Sequence, residues 1–243
     1  MLLSKKRAGK QRECLIDHYS MTDKRITNFY EHPPKNGQAE QLVILLHGLG
    51  SNGQDLISLA PYWAPAVPKA HFISPDAPFA CDMVPEGYPN AYQWFSLQSR
   101  DPKDMLKGVR IAAPILENFI EEQLEAYNIP AEKCALVGFS QGTMMSLSVA
   151  PFMKQRLAGV LGYSGALLWD ELKDPAKAHK LPVRLIHGEA DDVVPVDAYH
   201  MAVFKLQSEG FDVSGHTTPN LPHSIDGEGI ESGAAFLKTI LNQ

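Results

Sequence analysis

Short apolar runs alternate with longer segments of helical periodicity along most of the chain. Several runs, such as Gln41–Leu46, are apolar on both faces, which is typical of central strands in a parallel sheet. Strands that alternate with helices predict an α/β fold with a doubly wound, mostly parallel sheet and helices on both faces. The strands are predicted near residues 25–32, 41–46, 71–75, 134–137, 157–163, 182–187 and 211–216, and the helices near residues 53–60, 101–127, 143–151, 196–209 and 230–240.

Residues 76–101 interrupt this alternation with a stretch rich in proline, glycine and aromatic residues. A loop longer than about 15 residues inside a compact domain is usually functional or disordered. Because so many aromatic side chains argue against disorder, we expect this loop to serve a function. Only residues 166–181 separate the strand at 157–163 from the next one, which is too few for a separate lid domain.

A sharp strand-to-helix turn is predicted at Gly138-Phe139-Ser140-Gln141-Gly142. The two glycines are needed where strand and helix backbones come close, and the serine between them is held in a strained conformation with its hydroxyl exposed. This is the position of a nucleophilic serine, so Ser140 is the candidate nucleophile. An ordinary surface serine in a glycine-rich turn is the alternative.

Charge is distributed unevenly along the chain. The first 25 residues contain seven Lys and Arg and three Asp and Glu, a net charge of +4. Because the formal net charge of the whole chain is −6, the remaining residues carry a net charge of −10. A body this acidic is a poor partner for nucleic acid, so no nucleic-acid ligand is expected. Residues 1–22 are predicted to be a disordered basic tail, and residues 23–243 to form one catalytic domain.

Composition also limits the compartment and the cofactors. No apolar run approaches the roughly 18 residues of a membrane span, so no integral membrane segment is predicted. The three cysteines, Cys14, Cys81 and Cys134, form no C-x-x-C pair and are odd in number, which favours reduced thiols and a cytoplasmic location. No His/Cys spacing fits a zinc site and no phosphate-binding glycine motif occurs, so neither a metal nor another cofactor is predicted.

A serine nucleophile needs a general base and a carboxylate that orients the base. In α/β sheets of this kind the acid and then the histidine follow the serine along the chain. Asp191, just after the strand at 182–187, is the favoured acid, and Asp192 and Glu189 are its alternatives.

The favoured base is His223, which lies between the last predicted strand and the last helix. His216 is the rival base, although it is better explained as a strand-end residue. His47 and His187 end earlier strands, where histidines are more often structural.

Four motifs stand in order along the chain, and together they closely resemble the carboxylesterase/phospholipase family of α/β-hydrolases, which includes acyl-protein thioesterases and lysophospholipase-like esterases. The resemblance covers about residues 25–241. The motifs are His47-Gly48-Leu49-Gly50, Gly138-Phe139-Ser140-Gln141-Gly142, His187-Gly188-x-x-Asp191-x-x-Val194-Pro195 and His223-Ser224-Ile225.

The resemblance implies an α/β-hydrolase fold in which Ser140 is the nucleophile, Asp191 the orienting acid and His223 the general base. It also implies that the backbone N–H groups of Leu49 and Gln141 form the oxyanion hole, a role that suits the free N–H groups at a helix start. Two positions depart from the family pattern. Ser96 replaces an aspartate after Trp94-Phe95, and Asn220 replaces a glycine, which is tolerable because asparagine enters left-handed conformations.

These observations predict a serine hydrolase that cleaves esters or thioesters of short to medium acyl chains through an acyl-enzyme. Its substrate is expected to be a small ester or thioester, with lysophospholipids and acylated proteins as further candidates. The sequence leaves open whether the protein forms a homodimer. The alternatives are a non-catalytic protein that binds a hydrophobic ligand, or a lactone hydrolase or peptidase on the same fold. The acyl-binding side chains are predicted to be Phe79, Met83, Trp94, Phe95, Leu168 and Val193.

Overall fold

A computed structural model of the chain describes residues 24–35 and 37–242, so the predicted tail at 1–22 lies outside the described residues. Within them, seven strands form one sheet in the order β1-β3-β2-β6-β7-β8-β9, and two very short strands, β4 and β5, form a hairpin. The strands are β1 Phe29–His32, β2 Gln41–Leu46, β3 Ala70–Pro75, β4 Phe79–Ala80, β5 Tyr92–Gln93, β6 Cys134–Phe139, β7 Gly159–Tyr163, β8 Val183–Gly188 and β9 Val213–Thr218.

All neighbouring strands of the large sheet are parallel except β1, which pairs antiparallel with β3 at one edge. The chain runs from β2 outward to β3 and later returns to place β6 on the other side of β2. The strand order therefore reverses between β2 and β6. In open α/β sheets, ligands bind outside the carboxyl ends of the strands at such a point.

Helices cover both faces of the sheet, as the alternating pattern predicts. On one face α3, α4 and α5 pack into a core that includes Leu116, Leu147 and Leu206. On the other face α1, α2 and α6 pack into a second core that includes Trp63 and Leu237. The helices are α1 Gly53–Ile57, α2 Ala60–Trp63, α3 Pro102–Tyr127, α4 Gln141–Val149, α5 Asp197–Ser208 and α6 Gly227–Leu241.

The doubly wound α/β-hydrolase fold is confirmed, and between residues 37 and 242 no lid domain interrupts it. Residues 164–182, all of which are described, join β7 to β8 with only a short 3-10 turn at Pro175–Lys177. In the two described ranges, no helix has both the length and the apolar character to cross a membrane.

The last strand differs from its prediction. β9 begins two residues later than expected and is largely half-buried or exposed, whereas the pattern predicted an apolar, buried strand. The physical reason is its place at the edge of the sheet, where it pairs with β8 alone. An edge strand has solvent on its free side and can carry polar side chains.

Candidate active site

Ser140 lies between the end of β6 and the start of α4, at the carboxyl edge of the sheet. Its backbone has φ of 55° and ψ of −116°, a conformation that costs a residue with a side chain roughly 1–3 kcal/mol. The surrounding backbone fixes it, because its N–H donates to Tyr163 O at 2.9 Å and its carbonyl accepts from the N–H of Thr143 at 3.0 Å. The serine hydroxyl is thereby held at the turn.

The glycines on either side of Ser140 are required by close backbone contacts. A Cβ on Gly138 would lie 2.4 Å from Thr143 N, and one on Gly142 would lie 1.8 Å from Leu46 O. Both distances are far shorter than any real Cβ contact. The expected reason for the G-x-S-x-G pattern is therefore confirmed.

His223 and Asp191 meet at the same edge of the sheet. Nδ1 of His223 lies 2.7 Å from Oδ2 of Asp191, and Oδ1 of Asp191 accepts the backbone N–H groups of Val193 and Val194 at 2.9 and 2.8 Å. The ring of His223 also packs on Phe139, the residue before Ser140, with ring centroids 4.8 Å apart. The pair therefore sits beside the serine turn, and within residues 24–35 and 37–242 no hydrogen bond takes up Nε2 of His223.

The alternative acid and base residues lie elsewhere. Glu189 accepts a hydrogen bond from Thr217 on β9 at 2.8 Å, and His216 lies within β9 itself. Among the described residues, neither Glu189 nor Asp192 is hydrogen-bonded to His223, and Asp192 is exposed. The structure brings together Asp191 and His223, the two residues favoured from the sequence.

A second histidine touches the same carboxylate. Nε2 of His187 lies 2.8 Å from Val194 O and 3.4 Å from Oδ2 of Asp191, and the side chain is 2% exposed. Burial lowers the pKa of His187 below its ordinary value, against the raising effects of the Val194 carbonyl and the Asp191 charge. His187 therefore takes up a proton only at a lower pH than an ordinary histidine, and its contact with Val194 O supports the loop that carries Asp191.

Asp191 stays ionised at low pH. Burial acts to raise its pKa, but hydrogen bonds from His223 and from the N–H groups of Val194 and Val193 outweigh burial and hold the pKa below its ordinary value. A carboxyl whose pKa is lowered loses its charge only as the pH falls through that lowered value. Its charge is therefore present throughout the range in which histidines titrate.

We therefore expect one proton to control the acid side of the pH–rate profile. Because Asp191 keeps its charge in this range and the pKa of His187 is lowered, neither group should add a second proton, so log kcat/KM should fall with a slope of one as the pH is lowered. Initial rates on a soluble p-nitrophenyl ester between pH 4 and 9 measure this. A slope of two, or a flat profile down to pH 4, would contradict the assignment.

Two backbone N–H groups near Ser140 are without acceptors. Among residues 24–35 and 37–242, no hydrogen bond takes up the N–H of Leu49 or of Gln141, whereas that of neighbouring Gly50 donates to Tyr92 O at 2.8 Å. The loop that carries Leu49 runs against the serine, since a Cβ on Gly48 would lie 3.2 Å from Ser140 Cβ. Both free donors are thus positioned beside the serine turn.

The six predicted acyl-binding side chains divide by exposure, and Trp94 and Phe95 are the most deeply buried of them. Trp94 is 0% exposed and Phe95 is 2% exposed, so neither offers surface to a ligand. Their apolar rings belong to the core beneath the long loop, which sequence periodicity does not distinguish from a groove. Leu168 is buried at 9% exposure, Phe79 is half-buried, and Met83 and Val193 are exposed.

The two departures from the family pattern have simple local explanations. Asn220 has φ of 60°, so asparagine replaces glycine in a left-handed conformation, as expected. The hydroxyl of Ser96 accepts the N–H of Gln98 at 3.2 Å and closes a local turn. In the part of the chain that the structure describes, no group of three or more His, Cys, Asp or Glu side chains is placed to hold a metal ion.

A strained serine at a strand-to-helix turn, with a His–Asp pair at the same edge of a mostly parallel sheet, defines a serine hydrolase of the α/β-hydrolase class. A family model described as Phospholipase/Carboxylesterase matches residues 32–241. The chain belongs to this family and is a carboxylic ester hydrolase.

Similar proteins support this placement. The chain is 29% identical over 219 residues to acyl-protein thioesterase 1 of Gibberella zeae, covering 84% of this chain and 92% of the relative. It is 28% identical over 203 residues to the Escherichia coli esterase YpfH, covering 82% and 83%. The crystal structure of esterase PE8 matches with a TM-score of 0.80 and 36% identity, over 87% of this chain and 98% of that chain.

Proposed function

We propose that Ser140, His223 and Asp191 form a catalytic triad that cleaves carboxylic esters or thioesters. Nε2 of His223 takes the hydroxyl proton of Ser140 as Oγ bonds to the carbonyl carbon, and Asp191 stabilises the imidazolium that results. The tetrahedral intermediate carries its negative charge on the former carbonyl oxygen. The N–H groups of Leu49 and Gln141 donate to that oxygen, where one such donor is typically worth 10²–10³ in rate.

The intermediate collapses by breaking the bond to the leaving group. His223 gives its proton to the departing alcohol or thiol, and the acyl group remains on Oγ of Ser140 as an ester. Water then repeats the sequence with His223 again as the base, which releases the carboxylic acid and restores the serine. Every proton removed is returned, so the cycle requires only water as a second substrate.

The observation that carries this proposal is the 2.7 Å contact between His223 Nδ1 and Asp191 Oδ2 beside a serine held at φ of 55°. A fluorophosphonate tests it, because such reagents phosphonylate a serine only when a base activates it. Peptide mass spectrometry should find the adduct on Ser140. A folded protein that stays unlabelled would overturn the proposal.

For the substrate we propose esters or thioesters with short to medium acyl chains, among them lysophospholipids or acylated proteins. The relatives are named acyl-protein thioesterase and esterase, which supports an acyl substrate with an oxygen or sulfur leaving group. Of the six predicted acyl-binding side chains, Val193 and Met83 are exposed. A shallow surface of this kind holds part of a chain rather than all of it.

We expect kcat/KM to rise from acetyl to about hexanoyl or octanoyl p-nitrophenyl esters and then level off. Each methylene that becomes buried contributes up to about 0.8 kcal/mol, or about fourfold, until the surface is covered. Val193→Thr keeps the shape but replaces a methyl by a hydroxyl, so it should reduce the rise with chain length and leave acetyl hydrolysis within about twofold. A series of five esters with each variant measures this.

Ile111→Thr is the matched control, because Ile111 on α3 is 40% exposed and Val193 is 41% exposed. The control should retain the rise of the unaltered protein. If acetyl were the best substrate, or if both variants behaved alike, Val193 would not contact the acyl chain.

We further propose that residues 23–243 form one catalytic domain that works in the reducing cytoplasm. The two cores of the described residues share a single sheet, which supports one domain. Cys81 and Cys134 are buried free thiols, and burial raises the pKa of Cys134. Such thiols are unreactive and fit a compartment without disulfide formation.

A further inference from the structure

The long loop, residues 76–101, is hydrogen-bonded along the segment that follows β2, residues 47–53, which we call the oxyanion loop. His47 is held from both ends of the long loop, since its Nε2 accepts Ala77 N and its carbonyl accepts Trp94 Nε1, both at 3.0 Å. Further along, Gly50 N donates to Tyr92 O at 2.8 Å and Tyr92 N donates to Ser51 O at 2.9 Å. The long loop therefore supports the oxyanion loop.

The side chain of Gln141 joins the long loop to the serine turn. Its Oε1 accepts the N–H of Trp94 and its Nε2 donates to Phe95 O, both at 2.8 Å. The side chain is 0% exposed, so both bonds are made away from water. An amide that both donates to and accepts from one backbone segment fixes the position of that segment as a neighbouring strand would.

We propose that the side chain of Gln141 is a positioning group for the oxyanion hole. It holds Trp94, the Trp94 indole holds His47, and His47 is two residues before Leu49. One side chain thus sets the separation between its own backbone N–H and the N–H of Leu49. This inference rests on the proposed function, in which those two N–H groups stabilise the oxyanion.

The need for such a group follows from where the two donors originate. Leu49 follows β2 and Gln141 follows β6, so the donors belong to different segments that must converge on one oxygen. Each donor must lie about 2.7–3.1 Å from the oxyanion, and a displacement of about 1 Å can cost 10²-fold in rate. A buried connection between the two segments, made through Trp94, keeps this geometry fixed before the substrate arrives.

Gln141→Met tests the proposal, because methionine fills a similar volume and removes both hydrogen bonds. We expect kcat to fall about 10- to 100-fold with KM within about twofold, since the donors act on the transition state. Affinity for a trifluoromethyl ketone, whose adduct with serine carries an oxyanion, should fall by a similar factor.

The chain offers a matched control in Gln41. It is also a buried glutamine, at the opposite end of β2, where its Nε2 donates to Leu241 O at 2.9 Å and Asn242 Oδ1 at 3.0 Å. Gln41→Met should lower the melting temperature as Gln141→Met does, while its kcat stays within about twofold of the unaltered protein. Equal losses of kcat in both variants would overturn the positioning role.

Gln141→Glu provides a second test, also usable if the methionine variant fails to fold. A buried carboxyl favours its neutral form, and that form has one donor and one acceptor in the geometry of the amide. Its activity relative to the unaltered protein should therefore increase as the pH is lowered. A constant ratio, or full kcat in Gln141→Met, would refute this inference alone, whereas an active Ser140→Ala would refute the proposed function.

Discussion

Replacing Ser140 by glycine is expected to abolish hydrolysis and yet give a more stable protein than replacing it by alanine. Loss of the nucleophile should lower kcat by about 10⁵–10⁶-fold in both variants. Alanine retains the strain of a Cβ at φ of 55°, whereas glycine adopts this conformation freely. Relief of roughly 1–3 kcal/mol of strain exceeds the 0.5–1 kcal/mol that glycine loses in chain entropy, which leaves a difference of about 1 kcal/mol.

Urea denaturation of the two variants, together with rates on an activated ester, measures both effects. Equal slopes against urea would show that both variants expose the same surface on unfolding, so that their free energies of unfolding can be compared directly. A glycine variant that is less stable than the alanine variant would contradict the backbone strain assigned to position 140. More than about 1% residual activity in either variant would contradict the role of Ser140 as nucleophile.

Asp191→Asn is expected to lower kcat by about 10⁴-fold. The two N–H groups of Val193 and Val194 already donate to Oδ1, so an amide at this position will keep its oxygen there. Its NH₂ group must then face Nδ1 of His223, which becomes an acceptor. The proton moves to Nε2, the nitrogen that has to accept the proton of Ser140, so the base is lost while the fold remains.

Asp192→Asn is the control for this result. Asp192 is adjacent and exposed, and the same change there should leave kcat within about threefold. The histidine tautomer in Asp191→Asn can be observed directly by ¹⁵N NMR of the imidazole. A large loss in Asp192→Asn with a small one in Asp191→Asn would overturn the assignment of the acid.

The parts of the molecule that the sequence predicted well depend on local physics. β2 and β6 are buried on both faces and therefore read as continuous apolar runs, and the glycines around Ser140 follow from backbone contacts within a few residues. The pairing of Asp191 with His223 could also be predicted from the sequence, because both residues follow strands that end at one edge of the sheet. Periodicity and chain order are sufficient for features of this kind.

The burial of the side chains in the long loop could not be predicted from the sequence in the same way. An irregular segment has no periodicity that separates buried from exposed aromatic residues, so the sequence alone does not show that Trp94 and Phe95 are buried. The side chain of Gln141 was missed because the motif assigns this residue only a backbone role. Its partners are 46 and 47 positions away in the chain, and only the three-dimensional pairing of the segments reveals them.

The attachment of the long loop also limits where this enzyme can be redesigned. Surface loops are usually the first choice for insertions and for libraries in directed evolution. In this loop, residues 90–95 hold the oxyanion loop, whereas residues 83–89 form a largely exposed tip that includes Met83 and Tyr88. Diversity introduced at the tip would alter an exposed surface and leave the proposed oxyanion donors where they are.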